Sequence, residues 1–284
     1  MQRVLVAGAT GYLGGFVVKE IANRGYWVRA LVRSASREEK IHDSADEIFE
    51  GEVTKPESLA GVCDGMDVVF SSIGITRQKD GLTFRDVDYR GNKNLLEEAL
   101  RAGSGKFVYV SVFNGPALRH LDIVDAHEAF VDELAKSGME FSVLRPTGYF
   151  SDMGELVKMA TGGRVWLIGP GTNHVNPIHG SDLAVACVDA IEGSTTEIDV
   201  GGPETMAWND AARLAFTVLD RPVRITHVPV WLVWSVVRVV RVFNRHQGEL
   251  LAFFTTMSTT DVVAPTFGRR RLVDHFADCR EESR

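Results

Sequence analysis

Val4-Leu5-Val6-Ala7 is an apolar run that stops at glycines, and the stretch after it, Gly8-Ala9-Thr10-Gly11-Tyr12-Leu13-Gly14-Gly15, opens an amphipathic segment. A short run without solvent-facing charge suits a strand buried on both faces. Leu13, Phe16, Val17 and Ile21 recur at three- and four-residue spacing, which predicts a helix with one inward side. Strand, tight turn and helix in this order aim the amino end of the helix at the turn. Free N–H groups and the helix dipole there favour an anion. Gly8 and Gly11 let the backbone approach a pyrophosphate, and Gly14 lets helix and strand pack closely. Thr10, Tyr12 and Leu13 complete the expected binding turn.

An isolated glycine trio also fits a purely structural turn. The context points to a dinucleotide: the spacing is G-x-x-G-x-x-G, and a second apolar run from Trp27 to Val32 follows at the distance of a βαβ unit. The end of that second strand distinguishes the cofactors, because an acid about 20 residues after the glycines accepts from a ribose 2′-hydroxyl whereas an arginine accommodates a 2′-phosphate. This chain has Arg33, followed by Ser34, Ser36 and Arg37. A guanidinium fork with neighbouring hydroxyls matches phosphate, so the expected cofactor is NADP(H), with NAD(H) second. The alternative for the same residues is a solvated basic loop.

A length of 284 residues suits one large α/β domain, or a nucleotide-binding domain with a smaller appendage. Thirty-one basic against 38 acidic residues give a net charge of -7, which offers no general attraction to nucleic acid. Cys63, Cys187 and Cys279 are too widely spaced for a metal-ligand pattern, so no metal is expected. The first strand begins close to Met1 and leaves no space for a signal peptide. The expectation is a soluble protein of a reducing cytoplasm.

Along the chain, strands are expected near Ala45–Phe49, at Asp67–Ser72, at Phe107–Ser111 and at Phe141–Pro146, and helices at Pro56–Val62, Phe84–Ala102 and Asp122–Ser137. This alternation gives an α/β fold with a doubly wound parallel sheet of Rossmann type. Ligands sit outside the carboxyl ends of such strands, which brings Ser72, Ile73, Gly74 and Ser111 to the crevice. Glu52 either accepts from an adenine amino group or is merely solvated. Residues 1–146 form the NADP(H)-binding core, and 147–284 a substrate-side region with C-terminal helices packed on that core, not folding independently.

The GATGYLGG turn, the ALVR strand end, Ser111, the LRPTGYF segment and NPIHGSDLA together resemble the short-chain dehydrogenase/reductase superfamily, in its atypical NmrA-like branch. Ycf39-like and complex-I-subunit-like proteins are the nearest look within it, and some of those bind the cofactor while assisting assembly of other complexes. The resemblance implies NADP(H) in an extended groove, with Arg145, Pro146, Thr147 and Gly148 near the nicotinamide. Active members of the superfamily carry a tyrosine four residues before a lysine, on the helix after the fifth strand. By offset those positions fall here on Ile123 and His127, so the pair is missing.

His127 lies in an inward stripe with Val124, Phe130, Val131 and Leu134. It suits hydrogen bonding to the nicotinamide ribose or acid–base work near neutral pH. A structural histidine satisfied by a backbone carbonyl is the competing reading. Ser111 and Tyr149 are the other catalytic candidates, for polarising a substrate carbonyl, and His179 suits the hydrogen bonding of its own loop. Near 230–245 the chain is rich in Trp and Arg. A helix there either lies at a membrane surface or on a protein partner, or covers the core with its arginines directed outward. The expected function is reduction of a small hydrophobic carbonyl, enone or quinone-like substrate, the alternative a non-enzymatic NADP(H)-dependent sensor or assembly protein.

Overall fold

The apolar runs Val4–Ala7, Val68–Ser71 and Phe107–Val110 become strands buried on both faces. The computed structural model describes residues 1–34, 41–75 and 81–282. The first strands and helices are β1 (Arg3–Ala7), α1 (Tyr12–Asn23), β2 (Trp27–Val32), β3 (Glu47–Glu50), β4 (Val68–Ser71), α2 (Asn92–Ala102), β5 (Lys106–Val110), α3 (Asp122–Lys136) and β6 (Glu140–Pro146). Then come α4 (Phe150–Thr161), β7 (Val165–Ile168), β8 (His174–Val175), α5 (Gly180–Glu192), β9 (Glu197–Val200), β10 (Met206–Ala207), α6 (Trp208–Val218), β11 (Ile225–Val228), α7 (Val230–Phe243), α8 (Arg245–Thr259) and α9 (Leu272–Glu282).

The main sheet runs β3-β2-β1-β4-β5-β6-β9. Val4 pairs in parallel with Val28 on one side and Val68 on the other, so the strand order reverses direction at β1. In a doubly wound sheet that switch point is where a crevice opens, and the glycine turn leaves the sheet there. The Val143 N–H donates to the Thr196 carbonyl and that of Thr147 to Val200, which sets β9 parallel to β6.

The chain divides into two compact units, Met1–Arg145 with Leu183–Ile198, and Pro146–Asp182 with Asp199–Arg284. The division expected at residue 146 therefore meets a first unit that also takes in 183–198. In this unit Arg24 pairs with Asp189 at 2.8 Å and with Glu192 at 3.1 Å, and the Ser142 hydroxyl donates to the Thr195 carbonyl at 2.7 Å. The second unit packs α4, α6 and α9 around Phe150, Phe216 and Phe276. Beside them lie the parallel pair β7–β11 and the antiparallel pair β8–β10.

Three expected elements differ in detail. The third strand starts later, at Glu47, and just before it the Asp46 carboxylate accepts the Val28 N–H at 2.8 Å. Pro56–Leu59 is a 3-10 turn rather than a longer helix. The helix expected over 84–102 is two pieces, a wide π-type turn at Arg85–Gly91 and then α2. Such turns shift the side-chain register locally, and here Asp88 ends up fully buried.

Candidate functional site

The glycine turn joins β1 to α1. Gly8 has φ +85°, a conformation other residues rarely adopt, and a Cβ there would lie 2.9 Å from the Ser72 hydroxyl. A Cβ on Gly14 would collide with the Gly8 carbonyl. Gly11 has ordinary extended dihedrals and precedes α1, where no side chain caps the helix and no acid occupies the first turn. An end without a capping side chain or a first-turn acid suits an anion electrostatically. Thr10 is half-buried and Tyr12 exposed, whereas the Leu13 side chain is in the core, leaving only its backbone for a ligand.

At the end of β2 the Gly51 N–H donates to the Val32 carbonyl at 2.9 Å, which sets Glu52 beside the exposed Arg33. Glu52 lies 2.7 Å from the Lys55 ammonium and accepts from the Thr54 hydroxyl at 3.2 Å. Lys55 above all, with help from Thr54 and Arg33, holds this carboxyl below the ordinary range against partial burial. Ser36 and Arg37 lie outside the described residues.

The loop after β4 is clamped from below. The Ser71 hydroxyl donates to Asn92 Oδ1 at 2.5 Å, and Asn92 Nδ2 donates to the carbonyls of Ile73 and Asp88 at 3.2 and 2.8 Å. The Ile75 N–H donates to the Asp88 carboxylate at 3.3–3.4 Å. Ser72 and Ile73 are half-buried and Gly74 exposed. A Cβ on Gly74 would sit 3.1 Å from Asp88 Oδ1 and 3.3 Å from the His127 ring, so the absent side chain leaves room for that pair.

His127 is buried, with Nδ1 2.5 Å from the Tyr109 hydroxyl and Nε2 3.1 Å from Asp88 Oδ1. The partners are two side chains rather than the backbone carbonyl considered for a structural histidine. Ser111 is likewise buried, and its hydroxyl donates to Glu128 Oε1 at 2.7 Å. Glu128 in turn forms a two-pronged ion pair with Arg145, whose Nη2 lies 3.0 Å from Oε2. Burial works against the Arg145 charge, and Glu128 outweighs it, so the guanidinium is held more firmly protonated than usual.

In the second unit, Pro146 is buried at the end of β6, and the Thr147 hydroxyl donates to the Asn176 carbonyl at 2.7 Å. Tyr149 is half-buried and bridges to Ile178 just before α4. His179 Nδ1 accepts from the Ser181 N–H at 3.1 Å and lies 2.8 Å from its hydroxyl, so the histidine caps the start of α5. Among the described residues no group of three His, Cys, Asp or Glu is placed to hold a metal ion.

Asp88, Tyr109 and Glu128, which partner the candidates His127 and Ser111, were not singled out in the sequence. A signal for Asp88 existed: together with Gly91, Leu95 and Ala99 it falls on the inward stripe, where a carboxylate needs a partner.

The chain is 28% identical over 251 residues to the photosystem II assembly factor Ycf39 of Synechocystis sp., covering 86% of this chain and 74% of that protein. It is also 28% identical over 260 residues to the chloroplastic divinyl chlorophyllide a 8-vinyl-reductase of Arabidopsis thaliana, covering 84% of this chain and 62% of that one. Among solved structures, the Citrobacter sp. triphenylmethane reductase complexed with NADP(H) superposes with a TM-score of 0.78 at 17% identity, over 97% of this chain and 99% of the other. An Escherichia coli NADPH-dependent quinone oxidoreductase complexed with NADPH gives the same score at 14% identity, over 97% and 99%. These two show a shared Rossmann-like fold. A match over residues 8–193 to the model described as NAD(P)H-binding carries the assignment further, and the chain belongs to that family.

Proposed function

We propose that this protein is an NADP(H)-dependent reductase acting on a small hydrophobic carbonyl, enone or quinone-like substrate. The observation that carries the reading is the glycine turn: Gly8 and Gly14 have no room for a side chain, and the uncapped end of α1 offers its N–H groups to a pyrophosphate. Arg33, exposed at the end of β2, supplies the charge for a 2′-phosphate, and Glu52 lies on the adenine side. The loop Ser72-Ile73-Gly74 is held still by Asn92 and Asp88, so the cofactor meets a fixed wall. When bound, the cofactor supplies the hydride. His127, Pro146 and Thr147 belong to its nicotinamide side, and Ser111, His127 and Tyr149 are the groups assigned to orienting the substrate oxygen and its proton. The named activities of the relatives, on a chlorophyllide, a quinone and a triphenylmethane dye, favour a conjugated, apolar substrate.

An NADPH-consumption screen across carbonyls, enones and quinones tests this, and turnover that falls in Tyr149→Phe is the expected result. A second reading is a non-enzymatic NADP(H) sensor or assembly protein. Ser111 and His127 spend their hydrogen bonds inside the protein, which favours it, as does the similarity to an assembly factor. Tight cofactor binding without turnover in the same screen would select that reading.

A further inference from the structure

Helix α7 turns its apolar side outward. Trp231 is 70% exposed, Val239 58%, Val242 79% and Phe243 86%, with Leu232 and Val236 also exposed, whereas only Val233 and Val237 are buried. At about 100° per residue these six exposed residues fall on one continuous arc, interrupted by Ser235 alone. The arrangement is the reverse of a core helix with arginines directed outward. A contiguous apolar patch of this kind marks an interaction surface.

We propose that α7 docks in the plane of an anionic lipid surface. The charge pattern selects that occupant. The helix has no acid, exposed Arg238 sits at the edge of the apolar arc beside Trp231, Arg241 lies in its last turn, and Arg245 opens the helix that follows. Arg241 is shared with Glu249 at 2.9 Å, which leaves Arg238 at the patch edge for headgroup phosphates. The chain as a whole is at -7, so repulsion from an anionic surface would favour the orientation that presents these arginines. Fourteen residues extend only about 21 Å, short of the roughly 30 Å hydrocarbon core, and the apolar side runs along the helix. In-plane insertion uses that side, with Trp and Phe in the acyl boundary and Arg at the headgroups. A second copy fits less well: Arg238 lies near the middle of α7, so a two-fold pairing of these faces would bring like charges together.

The test is co-sedimentation of the full chain with phosphatidylcholine vesicles containing roughly a third phosphatidylglycerol, against phosphatidylcholine alone. Binding is expected only to the anionic vesicles. It should weaken about fivefold in Arg238→Gln, the equivalent of about 1 kcal/mol per basic residue at the surface, and at least about tenfold in Val242→Glu. Val239→Glu is a second variant of the same face, and far-UV circular dichroism with NADPH titration should show each folded. Absence of binding to anionic vesicles, or binding that neither acidic variant weakens, overturns the proposal. So does a concentration-dependent dimer, abolished by Val242→Glu, in a chain that ignores vesicles. The NADPH titration reads the cofactor site separately.

Discussion

Nε2 of His127 lies 3.1 Å from Oδ1 of Asp88, a carboxylate with no exposure to solvent. Burial is the main cause that lifts the Asp88 carboxyl above its ordinary range, and the pull of His127 only partly counters it. The pair thus depends on both members. His127→Ala should lower stability by about 1–3 kcal/mol, because Asp88 and Tyr109 lose the imidazole between them. Asp88→Asn keeps an acceptor toward the imidazole and should lose less. Denaturant melts give the ranking, and NADPH affinity measured on the same samples reads His127's part in the site. Should affinity and turnover both survive His127→Ala, its catalytic role is wrong.

Gly11 and Gly14 should separate binding from folding. A Cβ on Gly11 would lie 3.1 Å from the Gly8 carbonyl, which a small shift relieves, so Gly11→Val should fold yet lose most cofactor affinity. Gly14→Val drives its side chain into the Gly8 carbonyl and should fail to fold. Yield, thermal melts and NADPH titration of the two variants give the comparison, and cofactor affinity retained in Gly11→Val would remove the pyrophosphate from this turn.

Arg33→Asp should weaken NADP(H) far more than NAD(H). The change replaces a phosphate partner with a repelling charge at an exposed position and touches no core residue. Parallel fluorescence titrations with both cofactors measure it. Equal losses would place the 2′-phosphate elsewhere.

His179 should make the second unit sensitive to acid. Burial first, and then the nearby positive Arg270 and His275, hold its pKa below the usual 6.5, while Asp182 and Asp278 oppose them. The unfolded chain then binds the proton more readily, so stability is full above about 6.5 and declines as pH falls through the window beneath it. His179→Asn, which keeps an acceptor for the Ser181 N–H, should flatten the dependence. Melting temperatures from about pH 7.5 to 5.5 decide, and an unchanged slope in the variant would assign the sensitivity to another group.

Most of the parallel sheet was legible because its strands are short apolar runs separated by glycine turns, and burial on both faces leaves little else for Val4–Ala7 or Phe107–Val110 to do. The glycine turn was legible for the same local reason. The wide turn at Arg85–Gly91 was not, since a regular helical period fits Val87, Gly91 and Leu95 equally well and only tertiary packing brings Asp88 to His127. Ser111 directly follows β5, and its partners Glu128 and Arg145 come from positions 17 and 34 residues away. Local pattern carries no information about such pairings. The uncovered side of α7 stayed open between two readings, because its composition also suits a core helix and hydrophobicity alone does not say which side is covered.

The return of residues 183–198 to the first unit has a practical consequence for anyone cutting the gene. Ending the chain at residue 146 would strip β6 of its outer neighbour, leaving the N–H of Val143 and the hydroxyl of Ser142 without acceptors, and would deprive Arg24 of Asp189 and Glu192. The fragment would carry a bare, apolar strand edge and should precipitate by pairing with copies of itself. Excision of the second unit takes an internal deletion bridged by a linker and a separate C-terminal truncation, with the strand Glu197–Val200 kept as the sheet's border.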